Sequence, residues 1–179
     1  MTIQSQKAQG FAALHVPGNP LVLYNIWDAG SAAAVVKAGA SAVATGSWSV
    51  AGAQGYGDGE KIPLSLLVQV ASCIAQNVDV PLSVDFEGGY AVGGSELTDN
   101  VAQVIGAGAV GINFEDQIVG GDGLYSIEEQ SARLRAVRAA GAELFINART
   151  DLFLKERDNS RHAGLVDQAI QRAQAFDKA

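Results

Sequence analysis

PLSVDFE (81–87) is the stretch that decides the fold. Its short apolar run ends in two acids, which is typical of a buried strand leading to a polar strand end. One helical segment, LSLLVQVASCIAQN (64–77), precedes it, and another, SELTDNVAQVIGAG (95–108), follows it. A buried strand between two helices favours a parallel sheet built from βα units.

The same alternation of strand and helix continues along the chain. Four further strand-like runs are LVLYNIWD (21–28), SAVATGS (41–47), VGINFED (110–116) and LFINARTD (144–151). Three further helical segments cover 29–39, 126–141 and 162–179. We therefore predict an α/β fold, a (β/α) TIM-type barrel with about five βα units. A complete barrel takes about 250 residues, so we expect residues 1–179 to form one barrel domain that is truncated before the sixth strand.

Helix ends can be predicted from the same pattern. Ser95 and Ser126 stand where an N-cap is expected. Gly39, Gly108 and Gly141 stand where a left-handed residue would end a helix.

The composition limits the classes of function. The chain has no apolar run near the roughly 20 residues of a membrane span, and its N-terminus, MTIQSQKAQG, is polar where a secretory signal would be apolar. A formal charge of −7 argues against a nucleic-acid partner. The one cysteine, Cys73, cannot form an internal disulfide and is expected to be a core residue. These features predict a cytoplasmic protein that binds neither a membrane nor nucleic acid.

Acidic residues collect where the predicted strands end, which is the edge at which parallel α/β folds build their sites. Asp85 and Glu87 lie two apart on one strand, so both side chains project to the same side. Glu115 adds a third acid from the next strand. Carboxylates that share a small space repel each other unless a cation lies between them. Three oxygen ligands without a nearby Cys or His favour Mg²⁺ or Mn²⁺.

Several of these polar residues also have a purely structural interpretation. Asp28, Asp116 and Asp151 could each cap the helix that follows, since an Asp after a strand often does so. Arg149 suits a substrate carboxylate through its forked geometry, but it could instead form an ion pair with one of the acids.

Five segments form a specific pattern in order and spacing. They are NIWDAGSA (25–32), ATGSWSVAGAQGYGDGE (44–60), VDFEGGY (84–90), GAVGINFEDQ (108–117) and INARTDLFL (146–154). Together they resemble the isocitrate lyase and phosphoenolpyruvate mutase superfamily over nearly the whole chain. The resemblance implies a barrel enzyme whose chemistry passes through a metal-bound enolate of pyruvate or a close relative. It also implies a set of residues that hold Mg²⁺, directly or through water: Asp58, Asp85, Glu87 and Glu115.

The resemblance further implies how a small carboxylate substrate would be bound. Its carboxylate would be received by the backbone amides and the hydroxyl in Gly46, Ser47 and Trp48, with Arg149 as the positive partner. Asn147 lies on the same side of its strand as Arg149, and we assign it to the substrate as well.

A glycine-rich loop, AGAQGYGDGE (51–60), carries two candidate catalytic residues. We expect this loop to be mobile and to bring Tyr56 and Asp58 near the metal on closure. With Arg149 they form the predicted catalytic set. Glu87, where the best-known members have Asp, reaches about one methylene further, which favours binding through water.

The loop IVGGDGLY (118–125) departs from the family. Isocitrate and methylisocitrate lyases carry Lys-Lys-Cys-Gly-His there, and phosphoenolpyruvate mutase and phosphonopyruvate hydrolase use a Lys with an Asn or Thr. This loop contains no Cys, His or Lys. The sequence therefore favours a Mg²⁺-dependent lyase that decarboxylates an oxaloacetate-type acid or cleaves another C–C bond of a small α-keto or 2-hydroxy acid.

Two alternatives stay open. The first is C–P chemistry of the phosphoenolpyruvate mutase or phosphonopyruvate hydrolase type. The second is a barrel that binds a carboxylate without turnover, or a fragment of a longer enzyme. An unclosed barrel would expose strand edges, which favours association into a homo-oligomer.

Overall fold

A parallel sheet of five strands forms the centre of the computed structural model, which describes residues 2–179. The strands are β1 (Asn25–Ile26), β2 (Val43–Thr45), β3 (Leu82–Asp85), β4 (Gly111–Glu115) and β5 (Phe145–Arg149). They pair in sequential order, each parallel to its neighbours. This arrangement is that of five consecutive units of a (β/α) barrel, which confirms the predicted fold class.

Helices lie between and after the strands. They are α1 (Ile3–Ala13), α2 (Ala29–Lys37), α3 (Ser47–Ala53), α4 (Leu64–Asn77), α5 (Gly94–Gly106), α6 (Ile127–Ala140), α7 (Leu152–Lys155), a 3-10 helix (Asn159–Leu165) and α8 (Val166–Phe176). The short helices α3 and α7 and the N-terminal helix α1 were not predicted from the sequence. Within residues 2–179, no helix is both long and apolar enough to cross a membrane.

Capping boxes fix the starts of two helices. The Ser126 hydroxyl accepts from the Glu129 N–H at the start of α6, and the Glu129 carboxylate accepts from the Ser126 N–H in return. Asp28 forms the same reciprocal pair with Ser31 at the start of α2. Capping is therefore the role that the structure gives to Asp28.

Glycine positions confirm part of the predicted helix ends. Gly39 and Gly108 are left-handed, each with a φ of +104°. The prediction for Gly141 was wrong, because this residue is extended, with a φ of −168°. Ser95 is not an N-cap either, since α5 begins one residue earlier and Gly93 precedes it.

Helix α1 lies across the sheet near the N-terminal ends of β4 and β5. It buries two residues, Ala8 and Phe11. Two buried positions in eleven residues do not give the repeating apolar pattern from which a helix is predicted. Phe11 is 1% exposed and packs directly on Gly111, where a Cβ atom would lie 2.7 Å from the Phe11 ring. The helix thus covers that end of the inner sheet face.

Alternate strand residues face opposite sides of the sheet. The outward side chains join the helices in one hydrophobic cluster; from the strands it includes Ile26, Val43, Leu82, Val84, Ile112 and Phe114. Cys73 does not belong to this cluster. It is exposed on α4, where Ala71 and Ile74 occupy the buried face. Its prediction as a core residue was wrong because a helix segment rich in small apolar residues does not reveal which face is packed.

Candidate functional site

The inner face of the sheet bounds a cavity of about 370 Å³. Aromatic side chains, among them Phe11 and Phe145, lie toward the N-terminal ends of the strands. Thr45 borders the cavity at the end of β2, and the inward-facing polar strand residues that line it are Asn25, Ser83, Asp85, Asn113, Asn147 and Arg149. The polar residues are inward because they alternate along each strand with the outward apolar core residues.

Asp85, at the end of β3, is held by donors on both of its oxygens. The Ser47 N–H donates to Oδ2 at 3.0 Å, and the Asn113 side-chain amide donates to Oδ1 at 2.9 Å. The Asp85 N–H in turn donates to Thr45 Oγ1 at 2.8 Å. The carboxylate is therefore fixed by Asn113 of β4 and by the first residue of α3, which follows β2.

Two asparagines connect Asp85 to β5 through hydrogen bonds. Asn147 donates from its side-chain amide to Asn113 Oδ1 at 2.7 Å, and Asn113 contacts Asp85. The structure thus brings the predicted substrate residue Asn147 to the same face as Asp85. Asn113 was missed by the sequence reasoning, although it lies two residues before Glu115 and shares its side of β4.

Glu87 lies just beyond β3 and is 5% exposed. Its two carboxylate oxygens accept from the same donor, the Glu60 N–H, at 3.1 and 3.0 Å. Burial, the largest cause, and the negative charges of Asp58, Glu60 and Glu115 together raise the pKa of Glu87 to about 7, although the hydrogen bond from the Glu60 N–H lowers it. A cation beside Glu87 would relieve this accumulation of charge.

Glu115, at the end of β4, is 2% exposed and pairs with Arg149 from β5. Gln117 donates to its Oε1 at 2.9 Å. Burial raises the pKa of Glu115, although the positive charge of Arg149 acts in the opposite direction. Arg149 also donates from Nε to Asp151 Oδ1 at 2.7 Å. An ion pair, the alternative that the sequence left open for Arg149, is thus what the structure contains.

Two further acids have structural roles. Asp116 is fully buried, where it accepts from the Asp151 N–H at 2.9 Å and from Arg172 at 3.0 Å. Asp151 precedes α7 but makes no capping hydrogen bond, since its carboxylate is bound to Arg149. Capping, the structural interpretation considered for both residues, is not what these side chains do.

The predicted carboxylate-binding segment Gly46–Ser47–Trp48 lies at the end of β2 and the start of α3. Gly46 is buried, and a Cβ atom there would lie 2.9 Å from both Asn25 Nδ2 and Ser49 Oγ, so a larger residue would displace these side chains. The Ser47 N–H is already bonded to Asp85. Trp48 is 74% exposed.

The loop that carries Tyr56 and Asp58 passes beside Glu87. Asp58 is exposed, yet its charge is close enough to raise the pKa of Glu87. Tyr56 is 40% exposed, and its N–H donates to Ala51 O at 2.8 Å. The structure therefore brings Asp58 into the acidic group, whereas the catalytic role of Tyr56 stays a prediction.

The predicted metal ligands do not converge on one point. Within residues 2–179, no group of three or more His, Cys, Asp or Glu side chains is arranged to hold a metal ion. Asp85 is bonded to Ser47, Glu87 to Glu60, and Glu115 to Arg149. The donor chemistry nevertheless fits a hard cation, because the acids supply oxygen atoms and their charges accumulate around Glu87. The metal assignment stays a prediction.

Comparison with known proteins shows the family of the chain. Residues 11–179 match the family described as phosphoenolpyruvate phosphomutase. An uncharacterized protein of Mycobacterium tuberculosis is 34% identical over 143 residues, which cover 80% of this chain and 53% of that protein. The 2-methylisocitrate lyase of Escherichia coli K12 is 32% identical in an alignment 190 positions long, which covers 93% of this chain and 60% of the lyase. The chain thus spans little more than half the length of these curated relatives.

A solved structure agrees with the sequence matches. The crystal structure of a "putative phosphonomutase" from Burkholderia cenocepacia J2315 has a TM-score of 0.93 to this chain at 40% identity, covering 98% of this chain and 71% of that one. The family match over nearly the whole chain and this shared fold confirm the resemblance carried by the five sequence segments. The chain belongs to the phosphoenolpyruvate phosphomutase family, within the phosphoenolpyruvate mutase and isocitrate lyase superfamily.

Proposed function

We propose that this chain carries the acidic half of the active site of a Mg²⁺-dependent lyase. Its substrate is a small α-keto or 2-hydroxy carboxylic acid, and the favoured reaction is decarboxylation of an oxaloacetate-type acid. The observation that carries the proposal is the accumulation of acids around buried Glu87, where Asp58, Glu60 and Glu115 add to its raised pKa. A buried acid whose pKa is raised by burial and by neighbouring acids is typical of a functional site.

The metal would be held by Asp85 and Glu115, with Asp58 and Glu87 contributing through water. The acids come from the ends of two neighbouring parallel strands and from the loop beside them, and Mg²⁺ commonly keeps several waters when it binds one or two carboxylates. When bound, Mg²⁺ supplies Lewis-acid stabilisation of negative charge that develops on the substrate carbonyl oxygen. Mn²⁺ has the same preference for oxygen ligands.

Arg149 would orient the substrate carboxylate. Within residues 2–179 its hydrogen bonds run from Nε and Nη2 to Asp151 and Glu115, so Nη1 remains as the donor for a ligand. Asn147 faces the same cavity and would add a neutral donor. Two acids hold the guanidinium in place before a ligand arrives, which reduces the cost of ordering it.

The loop 118–125 favours C–C over C–P cleavage. It forms a compact turn in which the Ile118 N–H donates to Gly123 O at 3.2 Å, and the Tyr125 N–H donates to Asp116 O at 2.9 Å. Its one ionisable side chain besides Tyr125 is that of Asp122, so it offers no cation to a migrating phosphoryl group. Decarboxylation needs neither this cation nor an acid from the loop. The C–C bond between C3 and its carboxylate would break with release of CO₂, and its electron pair would form the enolate of pyruvate. A proton delivered to C3 from solvent or from the Tyr56 hydroxyl would complete pyruvate.

Phosphonate chemistry is the second candidate. It is favoured by the 40% identity to the Burkholderia cenocepacia protein described as a phosphonomutase. A non-catalytic carboxylate-binding role is the third.

A substrate panel separates these candidates. Oxaloacetate, isocitrate, methylisocitrate, phosphonopyruvate and phosphoenolpyruvate would be incubated with the protein and Mg²⁺, and the products followed by NMR. We expect turnover of oxaloacetate above the rate with Mg²⁺ alone, and of no other compound. Turnover of phosphonopyruvate would overturn the ranking, and binding of oxalate without any turnover would support the non-catalytic role.

A further inference from the structure

Within residues 2–179, three residues other than glycine have left-handed backbones, and hydrogen bonds connect them. Glu60, Glu87 and Tyr90 have φ values of 56°, 49° and 57°. The Glu60 N–H donates to both oxygens of Glu87, and the Tyr90 N–H donates to Glu60 Oε1 at 2.8 Å. Such conformations persist only where the surroundings hold them, and they cluster at functional sites.

The turn that follows Glu87 is held from the opposite side by two helices. Asn100 of α5 donates to Gly89 O at 3.2 Å and to Tyr90 O at 3.1 Å. Arg133 of α6, 4% exposed, donates to Val92 O at 3.1 Å and to Gly88 O. These hydrogen bonds fix the backbone of the turn. None of them reaches the Glu87 carboxylate, so they do not determine its direction.

That direction is set by Glu60. Within the described residues, the hydrogen bonds to the Glu87 carboxylate come from the Glu60 N–H. The Glu60 side chain also lies against the turn, since a Cβ atom on Gly88 would be 3.0 Å from Glu60 Oε1. Glu60 thus contacts the Glu87 carboxylate through its backbone N–H and the Tyr90 backbone N–H through its own carboxylate.

We propose that Glu60 is a positioning residue, which fixes the Glu87 carboxylate for binding of the divalent cation while making no contact with substrate. This inference rests on the proposed Mg²⁺ site. The bond from Tyr90 holds Glu60 in its left-handed conformation, and this conformation directs the Glu60 N–H at Glu87. Outer residues that orient metal ligands in this way typically contribute about ten- to hundredfold to metal affinity.

Two variants of Glu60 distinguish the effect of its hydrogen bond to Tyr90 from the effect of its negative charge. Glu60→Gln keeps an oxygen that can accept from the Tyr90 N–H but removes the negative charge, whereas Glu60→Ala removes both. Glu128→Ala, an exposed acid on α6, is the control for a lost charge. Mg²⁺ and Mn²⁺ affinities would be measured by calorimetry, and amide exchange of Tyr90 by NMR in the presence of EDTA.

We expect Glu60→Ala to bind Mg²⁺ about ten- to hundredfold more weakly, with faster exchange of the Tyr90 amide. Glu60→Gln should stay within about threefold of the parent and keep the Tyr90 amide protected, and Glu128→Ala should match the parent. If Glu60→Ala does not fold, Glu60→Gly, which adopts the left-handed backbone without strain but cannot accept from the Tyr90 N–H, should still bind Mg²⁺ more weakly than Glu60→Gln does.

Equal affinity in the parent and in Glu60→Ala would overturn the positioning role. So would an equal loss in Glu60→Gln and Glu60→Ala, because charge alone would then account for the effect. A parent protein that binds neither cation would instead overturn the proposed function, so the two failures are distinguishable.

Discussion

Arg149 donates from Nε to Asp151 Oδ1 at 2.7 Å, so the guanidinium at the end of β5 is fixed by an acid two residues further along the chain. Its Nη2 pairs at the same time with buried Glu115 on β4. A planar guanidinium can satisfy both acids and still present a donor to a ligand, whereas an ammonium offers one compact charge.

Arg149→Lys is therefore expected to damage ligand binding although the charge is kept. Loss of a charge-assisted hydrogen bond costs on the order of 1.5–3 kcal/mol, which corresponds to a roughly ten- to hundredfold weaker complex. Oxalate binding, measured by calorimetry with saturating Mg²⁺, is the test. Arg135→Lys on the exposed face of α6 is the matched control. Parent-like affinity in Arg149→Lys would place the carboxylate elsewhere.

Mg²⁺ is expected to raise the melting temperature of the parent protein, and Asp85→Ala or Glu115→Gln should remove this effect. A ligand that binds the folded state alone stabilises it by RT ln(1 + [L]/Kd), so the stabilisation grows with the Mg²⁺ concentration. Both acids lie at the ends of neighbouring strands. The measurement is thermal unfolding with Mg²⁺ or EDTA, with Glu128→Ala as the control. An identical melting temperature of the parent under both conditions would count against the metal site.

The stability of the metal-free protein is expected to fall as the pH rises from about 5 to about 8. Burial and then neighbouring charges raise the pKa of Glu87 to about 7 in the folded state, above the value of about 4.3 for an unfolded Glu. Between these values the folded state binds more protons, so rising pH lowers the free energy of unfolding. Glu87 contributes at most about 3 kcal/mol, and the raised pKa values of Glu60 and Glu115 act in the same direction.

Urea unfolding in EDTA at both ends of this pH range measures the effect. Glu87→Gln keeps the size of the side chain and should show a smaller difference between the two pH values than the parent does. A parent stability that rises with pH, or an unchanged dependence in Glu87→Gln, would mean that Glu87 does not have the raised pKa.

Cys73→Ser is expected to leave both stability and ligand binding unchanged. The side chain is exposed on α4, and exposed substitutions usually change the free energy of unfolding by less than about 0.5 kcal/mol. Urea unfolding and oxalate calorimetry check the two parts. A loss of more than about 1 kcal/mol would show that this face of α4 is packed against something.

The sequence by itself determined the order of the five strands and of the helices α2, α4, α5, α6 and α8, and the edge of the sheet where the acids lie. Strand alternation and helix period are local properties, so Asp85 and Glu115 could be assigned to strand ends without knowledge of any distant contact. The prediction that Glu87 continues the strand of Asp85 was wrong, because β3 ends at Asp85 and Glu87 has a left-handed backbone in the turn that follows. The family segments were equally readable, because they depend on residue order alone.

Tertiary structure decided which partner each side chain contacts. Glu87 accepts from Glu60, 27 residues away, and Glu115 pairs with Arg149, 34 residues away. Tertiary packing also decided that Cys73 lies on the exposed face of α4. Sequence spacing could not predict these outcomes, because they depend on how loops from different βα units meet and on which helix face packs against the sheet.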